Sequence, residues 1–382
     1  MRRMTTTERT TGPTAGRIAH SAFDGSRLRV ILLLDLYDGA QEQFLEAYEH
    51  MRSKVASIPG HIQDQLCQSI ENPSQWLITS EWESALPFLA WVNSEEHIEI
   101  VRPMHSCVRD TRSMRYSVLR ETEPRPGAKP RSGLQAQVRV GDGVARHALT
   151  FTVKPGSESK VAEHLAGYTS PKALLEAGTR LRRTSVFMHG NRVVRCMEVE
   201  GDLAAALRHV AGRPEIRAIE TAIDPHLEQE RDLSDPGSAR VFFTRAALPS
   251  VHHVRADGPE PTGLRRHALY YPAVEGQGME LARFLSHQDE AAVGDPDSRI
   301  FTSTVFQRDD IVVRMVDITG ALDLDPEWAL GIKGAGKAAE LERLLDGAAI
   351  GVDVPLNSER NLNRLLSHAD MLPVTDRSTA DS

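Results

Sequence analysis

His147 and Arg195 recur as His267 and Arg314, at offsets of 120 and 119 residues, and these four residues have the types that acid–base chemistry needs. Successive residues of a strand point to opposite faces. His147 then shares a face with Leu149, Phe151 and Val153, and His267 with Leu269 and Tyr271. Arg195 shares one with Val193, Met197 and Val199, and Arg314 with Val312, Val316 and Ile318. Each is a polar group on an apolar face. A neutral imidazole can take the proton of an acidic phenol or enol. A guanidinium, always charged and costly to bury alone, would then hold the anion that results. Two other readings stay open at this level: an internal ion pair for each arginine, and a core position with a backbone hydrogen bond for each histidine.

A second set lies nearer the N-terminus. Alternation puts His61, Gln63 and Gln65 on one face of a strand, and Trp76, Ile78, Ser80 and Trp82 on one face of the next. Trp91 and His97 follow on helical sequence. Indole rings can stack on a flat polycyclic ligand or simply fill a core. His61, Gln65, Trp76, Trp82, Trp91 and His97 are the candidate substrate-binding residues. His252-His253 and His61, His97, His105 have no Asp or Glu companions at metal-ligand spacing, so no metal is expected. GxGxxG and GxxxxGK[ST] are absent, and Gly331 to Gly336 (GIKGAG) follows no predicted strand and reads as a loop, so no cofactor is expected.

The elements that must position these residues are repeated. Arg146–Gly156 (RHALTFTVKPG) resembles Arg266–Gly276 (RHALYYPAVEG), and Thr184–Gly201 (TSVFMHGNRVVRCMEVEG) aligns without gaps on Ser303–Gly320 (STVFQRDDIVVRMVDITG). A fainter first copy starts at Arg29–Gly39 (RVILLLDLYDG), with the same Arg-to-Gly spacing. In that copy the sequence predicts a strand (30–36), an amphipathic helix (41–58), two strands (62–70 and 76–82) joined by Asn-Pro-Ser turn chemistry, a helix (85–101) and a strand (108–119). The order β-α-β-β-α-β is ferredoxin-like. The expected fold is α+β: three tandem ferredoxin-like modules, of the dimeric α+β barrel type, with antiparallel sheets. Pro- and Gly-rich stretches set the boundaries. We expect a disordered tail (1–26), a first module (27–122), a linker (123–140), repeat A (141–255), a linker (256–263), repeat B (264–356) and a C-terminal tail (357–382).

Composition narrows the function classes. With 45 basic and 53 acidic residues the net charge is -8, which argues against nucleic acid as a partner. No stretch approaches the roughly 18–20 apolar residues of a membrane span. Three scattered cysteines (Cys67, Cys107, Cys196) form neither a CxxC pair nor a disulfide framework, and no secretory signal is expected in the first residues, where no apolar segment follows Arg2-Arg3. A cytoplasmic protein is expected.

Two family resemblances follow from these residues. The first copy, through Pro59-Gly60-His61, Ser80-Glu81-Trp82-Glu83-Ser84 and Ser94-Glu95-Glu96-His97, resembles the antibiotic biosynthesis monooxygenase module. Repeats A and B, with their RHA and VVR blocks, resemble SchA/CurD-like proteins encoded with aromatic polyketide and spore-pigment synthases in actinomycetes. Together these cover roughly residues 27 to 350. The monooxygenase resemblance implies modules paired face to face, and oxidation of a phenol or anthrone to a quinone by O2 without metal or flavin. It implies an Asn and a Trp near the substrate; Trp82 fits the Trp, no Asn matches, and Trp91 stands where relatives commonly carry His, while His97 keeps the later His. Repeats A and B would form a pseudo-dimer within the chain, and the first module a homodimer with a second chain. The substrate implied is an aromatic polyketide, with polyketide synthase enzymes as further partners. The alternatives are a polyketide cyclase or aromatase, and a non-catalytic accessory protein.

Overall fold

The structure is a computed structural model that describes residues 16–121, 134–136, 139, 141–167, 174–176 and 178–378. After a short strand β1 (Arg17–Ser21) the chain enters the N-terminal module: β2 (Leu28–Leu36), α1 (Gln41–Val55), β3 (His61–Gln68), β4 (Gln75–Trp82), α2 (Ala85–Val92), α3 (Glu95–Ser106) and β5 (Val108–Ser117). Repeat A follows: β6 (Val144–Thr152), α4 (Glu158–Ala166), β7 (Leu174–Glu176), β8 (Thr179–His189), β9 (Arg192–Glu200), α5 (Leu203–Gly212), α6 (Pro214–Ile223), α7 (Pro236–Ala246) and β10 (Ala247–Arg255). The chain ends with β11 (Leu264–Pro272), α8 (Gly278–Gly294), β12 (Ile300–Arg308), β13 (Ile311–Thr319), α9 (Pro326–Leu330), α10 (Lys337–Leu344), α11 (Glu359–Ala369) and β14 (Leu372–Ser378). The fold is α+β with antiparallel sheets. The glycine that follows the first strand of each copy has positive φ: 81° at Gly39, 84° at Gly156 and 73° at Gly276. A side chain would be strained there, so the repeated glycine marks a shared turn.

In the N-terminal module the sheet order is β3-β4-β2-β5, every pair antiparallel, which is the ferredoxin-like order. Leu34, Leu36, Trp76 and Ile78 pack against Phe44 and Tyr48 of α1 and Met104 of α3. The single helix expected over 85–101 is two helices. Ser94 takes an extended conformation and its Oγ accepts from the His97 N–H at 3.1 Å, starting a new helix.

The chain divides into two compact units. The larger comprises Ser21–Val251, Gln307–Asp309 and the chain from Leu372 onward. Besides the N-terminal sheet it holds the strands β10-β6-β9-β8-β14 in that order, with Ala247–Pro249 of β10 antiparallel to His147–Leu149. The smaller comprises the chain up to His20, His252–Phe306 and Asp310–Met371, and holds the strands β11-β13-β12 in that order.

Both terminal expectations are corrected. Arg17–Ser21, placed in a disordered tail, is a strand that pairs with β10; residues 1–15 lie outside the described residues. The C-terminal tail (357–382) contains α11 and β14. Leu362, Leu365, Leu366 and Ala369 recur at helical spacing and are buried on one face of α11, and β14 pairs with β8 from Leu372↔Met188 onward. Of the expected linker (123–140), residues 123–133, 137, 138 and 140 lie outside the described residues. No helix among the described residues is long and apolar enough to cross a membrane.

Candidate functional site

The two arginines expected to meet a substrate anion instead meet carboxylates of their own chain. Arg314 has no exposed surface; its Nε and Nη2 reach Asp289 Oδ1 at 2.8 and 2.6 Å. Its Nη1 donates to the Ala329 carbonyl at the end of α9, and Ser303 Oγ donates to the other Asp289 oxygen at 2.7 Å. Tyr271 completes the cluster: its hydroxyl donates to the Leu330 carbonyl at 3.2 Å, and burial pushes it up to about 12. Arg195 Nη1 lies 2.5 Å from Glu220 Oε1, and Arg231 holds the other Glu220 oxygen at 2.9 Å. The internal ion pair, one of the two readings open from the sequence, is the arrangement both arginines adopt, because a buried guanidinium must be neutralised nearby.

The two histidines differ. His147 lies opposite Met197 on β9, and among the described residues its ring has no hydrogen-bond partner. Burial lowers its imidazole to about 4, so it is neutral at pH 7. His267 Nδ1 lies 3.2 Å from Asp370 Oδ1, and the two side chains are 23% and 32% exposed. Asp370 follows α11 directly and forms an antiparallel bridge with Leu269, two residues from His267. The sequence reading missed Asp370 because it lies in the stretch assigned to a tail.

In the N-terminal module a register shift between His61 and Gln63 breaks the expected alternation. Such a bulge leaves two residues on one strand opposite one on the other. Beyond it Asp64, not Gln65, joins His61 on the helix-covered face: Asp64 lies opposite Ser80, Leu66 opposite Ile78, and Gln65 is exposed. Gln63 turns to the other face and donates to Glu81 at 3.0 Å. His61 Nε2 is 3.1 Å from Asp64 Oδ2, each side chain only 7% exposed. Burial raises the Asp64 carboxyl above its ordinary range, with His61 opposing the shift. Burial and the Asp64 charge together raise the Tyr48 hydroxyl. The Trp82 ring meets His61 edge-on at 5.0 Å, and its Nε1 donates to Ser80 Oγ at 2.8 Å. Imidazole, carboxyl, phenol and indole thus meet on one face of β3 and β4 and on α1.

The remaining candidates are spread through the same module. Trp76 packs edge-on against Phe44 at 5.5 Å and donates to the Pro73 carbonyl, a core role. Trp91 and His97 are edge-on at 5.3 Å on α2 and α3, and burial lowers His97 to about 4. A cleft of about 670 Å³ opens elsewhere in the larger unit, between α3 and α7. Glu95, Arg102, Asp235, Phe242 and Arg245 line it, and none of the candidate catalytic or substrate-binding residues does.

Strand order and site together define an α+β protein with antiparallel sheets, whose N-terminal module is ferredoxin-like and holds a buried histidine–carboxyl pair. The antibiotic biosynthesis monooxygenase family matches residues 27–103, and the SchA/CurD like domain matches residues 144–256. "Polyketide synthase CurD" of Streptomyces cyaneus is 65% identical over 95% of this chain and 98% of its own length. The "42.8 kDa protein in whiE locus" of Streptomyces coelicolor is 57% identical over 96% of this chain and 92% of its own. The chain belongs to the SchA/CurD family. Among solved structures it is similar to SnoaB, a cofactor-independent oxygenase from Streptomyces nogalater, at 12% identity over 26% of this chain and 99% of that one, with a TM-score of 0.24.

Proposed function

We propose that the protein tailors an aromatic polyketide, and that its N-terminal module oxidises a phenol or anthrone ring to a quinone with O2. The observation that carries this reading is the His61–Asp64 pair, buried beside Trp82 in the module that matches the monooxygenase family. His61 takes the proton of the acidic ring position, and the electron-rich anion reduces O2. One oxygen atom ends in the new carbonyl and the other leaves as water, so a CH2 group becomes C=O with no other reductant. Water excluded by the helices cannot quench the anion. The printed names of the two full-length relatives support polyketide chemistry as the setting. Neither metal nor flavin enters the reading.

The same reading gives the outer face of the N-terminal sheet a partner. Leu33 and Tyr116 are close to half exposed on the face that α1, α2 and α3 do not cover, and a second copy of the chain would pair there. A monomer in sedimentation at micromolar concentration would count against this.

The function is tested by mixing purified, metal-free protein with a model anthrone in air and under nitrogen, following quinone by absorbance and 18O2 incorporation by mass. Labelled quinone formed above background, and only in air, is the expected result. A requirement for added flavin or iron overturns the mechanism. Saturable binding without oxidation favours a cyclase or an accessory role.

A further inference from the structure

We infer that His267 and Asp370 form a second acid–base site, separate from the N-terminal module, that moves a proton at a carbon next to a ketone carbonyl. This does not rest on the oxygen chemistry above. Three features of the smaller unit carry it. The two groups are at hydrogen-bonding distance, 3.2 Å, and both side chains keep exposed surface, 23% and 32%. Both are pinned by backbone: Asp370 bridges Leu269 and donates its N–H to Leu366 O at 2.9 Å, and Met371 N–H donates to Ala268 O at 2.9 Å. On the same face of β11 and β13 the Tyr271–Arg314–Asp289 cluster is buried and holds the two strands.

The repeat supplies an internal comparison. Among the described residues His147, the counterpart of His267, has no such carboxylate, and it is desolvated. A partly exposed histidine–carboxylate pair adds little to stability, so holding the fold together does not account for the carboxylate at His267. The pairing sets the tautomer: Nδ1–H donates to Asp370, and the Nε2 lone pair is free to accept a proton.

In the proposed step Nε2 takes the α-proton, the C–H electron pair becomes the enolate C=C, and the carbonyl π pair moves to oxygen. Asp370 stabilises the imidazolium that forms. Return of a proton from imidazolium to carbon regenerates the ketone, so neither oxidant nor reductant is consumed. The substrate class is a ketone fused to or flanked by an aromatic ring, whose α-hydrogen is acidic enough for an imidazole.

The test uses the full chain under nitrogen with 2-tetralone in D2O, following loss of the benzylic α-proton signal by 1H NMR. Wild-type protein is expected to speed the exchange, and His267→Gln to lower it by about 10²-fold, toward background. Asp370 acts through His267, so Asp370→Asn should lower kcat about tenfold with KM within twofold, and Asp370→Glu should recover part of the loss. His287→Gln, at an exposed position on α8, should exchange like wild type. No acceleration by wild-type protein, or wild-type rates in His267→Gln, overturns the proposal; wild-type rates in Asp370→Asn overturn the role of the carboxylate. If a variant fails to fold, wild-type protein is treated with diethylpyrocarbonate and mapped by mass spectrometry. Exchange should be lost in step with modification of His267, and loss without it overturns the assignment.

Discussion

Arg314 and Asp289 are 2.6 Å apart, and neither side chain has any exposed surface. Removing one member of such a pair leaves an uncompensated charge in a low-dielectric interior, which costs about 3–5 kcal/mol; replacing both with apolar residues of similar volume is often neutral. Arg314→Met and Asp289→Leu should each lower stability by about that amount, and the double variant should recover most of it. Urea unfolding of the four proteins checks this. Two single losses that simply add would contradict it.

Arg195 occupies the equivalent strand position and should behave differently. Its carboxylate, Glu220, is also held by Arg231, whose guanidinium lies over the Phe242 ring at 4.6 Å. Glu220 therefore keeps a cation when Arg195 is removed. Arg195→Met should cost only about 1 kcal/mol, whereas Arg231→Met, which removes the more buried partner, should cost more. Thermal melts of the two variants side by side decide the order.

Three buried histidines make the protein acid-sensitive in a defined window. Burial lowers His97, His105 and His147 to about 4 from an ordinary 6.5. The unfolded chain binds protons below pH 6.5 that the native state refuses until about pH 4. Stability therefore falls as pH drops from 6.5 toward 4, by at most about 1.4 kcal/mol per pH unit for each such group. Urea midpoints at pH 7 and pH 5 should differ more in wild-type protein than in His97→Gln or His147→Gln.

Much of the fold was legible because it rests on repetition and periodicity. The matching RHA and VVR blocks placed β6, β9, β11 and β13, and the N-terminal strand order follows from the predicted elements. The candidate sites were half legible. His61 and His267 were identifiable by residue type and strand position, but their carboxyl partners were not. Asp64 reaches the face of His61 only because a bulge shifts the register, and alternation rules assume there is none. Asp370 is 103 residues from His267 and meets it through tertiary folding. The carboxylates that hold Arg195 and Arg314 come from α6 and α8, different positions in the two repeats, so the repeat gave no hint of either.

Arg308 should be a strong point of the larger unit. Its guanidinium donates to the Thr244 carbonyl, to the Ala247 carbonyl at 3.1 Å and to the Asn93 carbonyl at 3.0 Å, so one side chain ties the ends of α7 and α2 together. Losing it leaves carbonyls without donors in a largely buried place, at about 1–3 kcal/mol. Arg308→Met should lower the melting temperature and speed proteolysis near residues 93–94. Unchanged cleavage would contradict this.

The Asp64 carboxyl ties stability to function in opposite directions. Because burial raises its proton affinity in the folded state, the ionised form is disfavoured there. The penalty is fully present above the raised folded value and vanishes as pH falls below the unfolded one. At pH 7, above the unfolded value, ionisation therefore favours the unfolded chain over the native state. Asp64→Asn removes the charge and should raise the urea midpoint at pH 7, with the gain shrinking toward pH 4. The same change deprives His61 of its carboxylate and should lower quinone formation by about 10- to 100-fold. A variant that is both less stable and fully active would show that the pair serves packing rather than proton transfer.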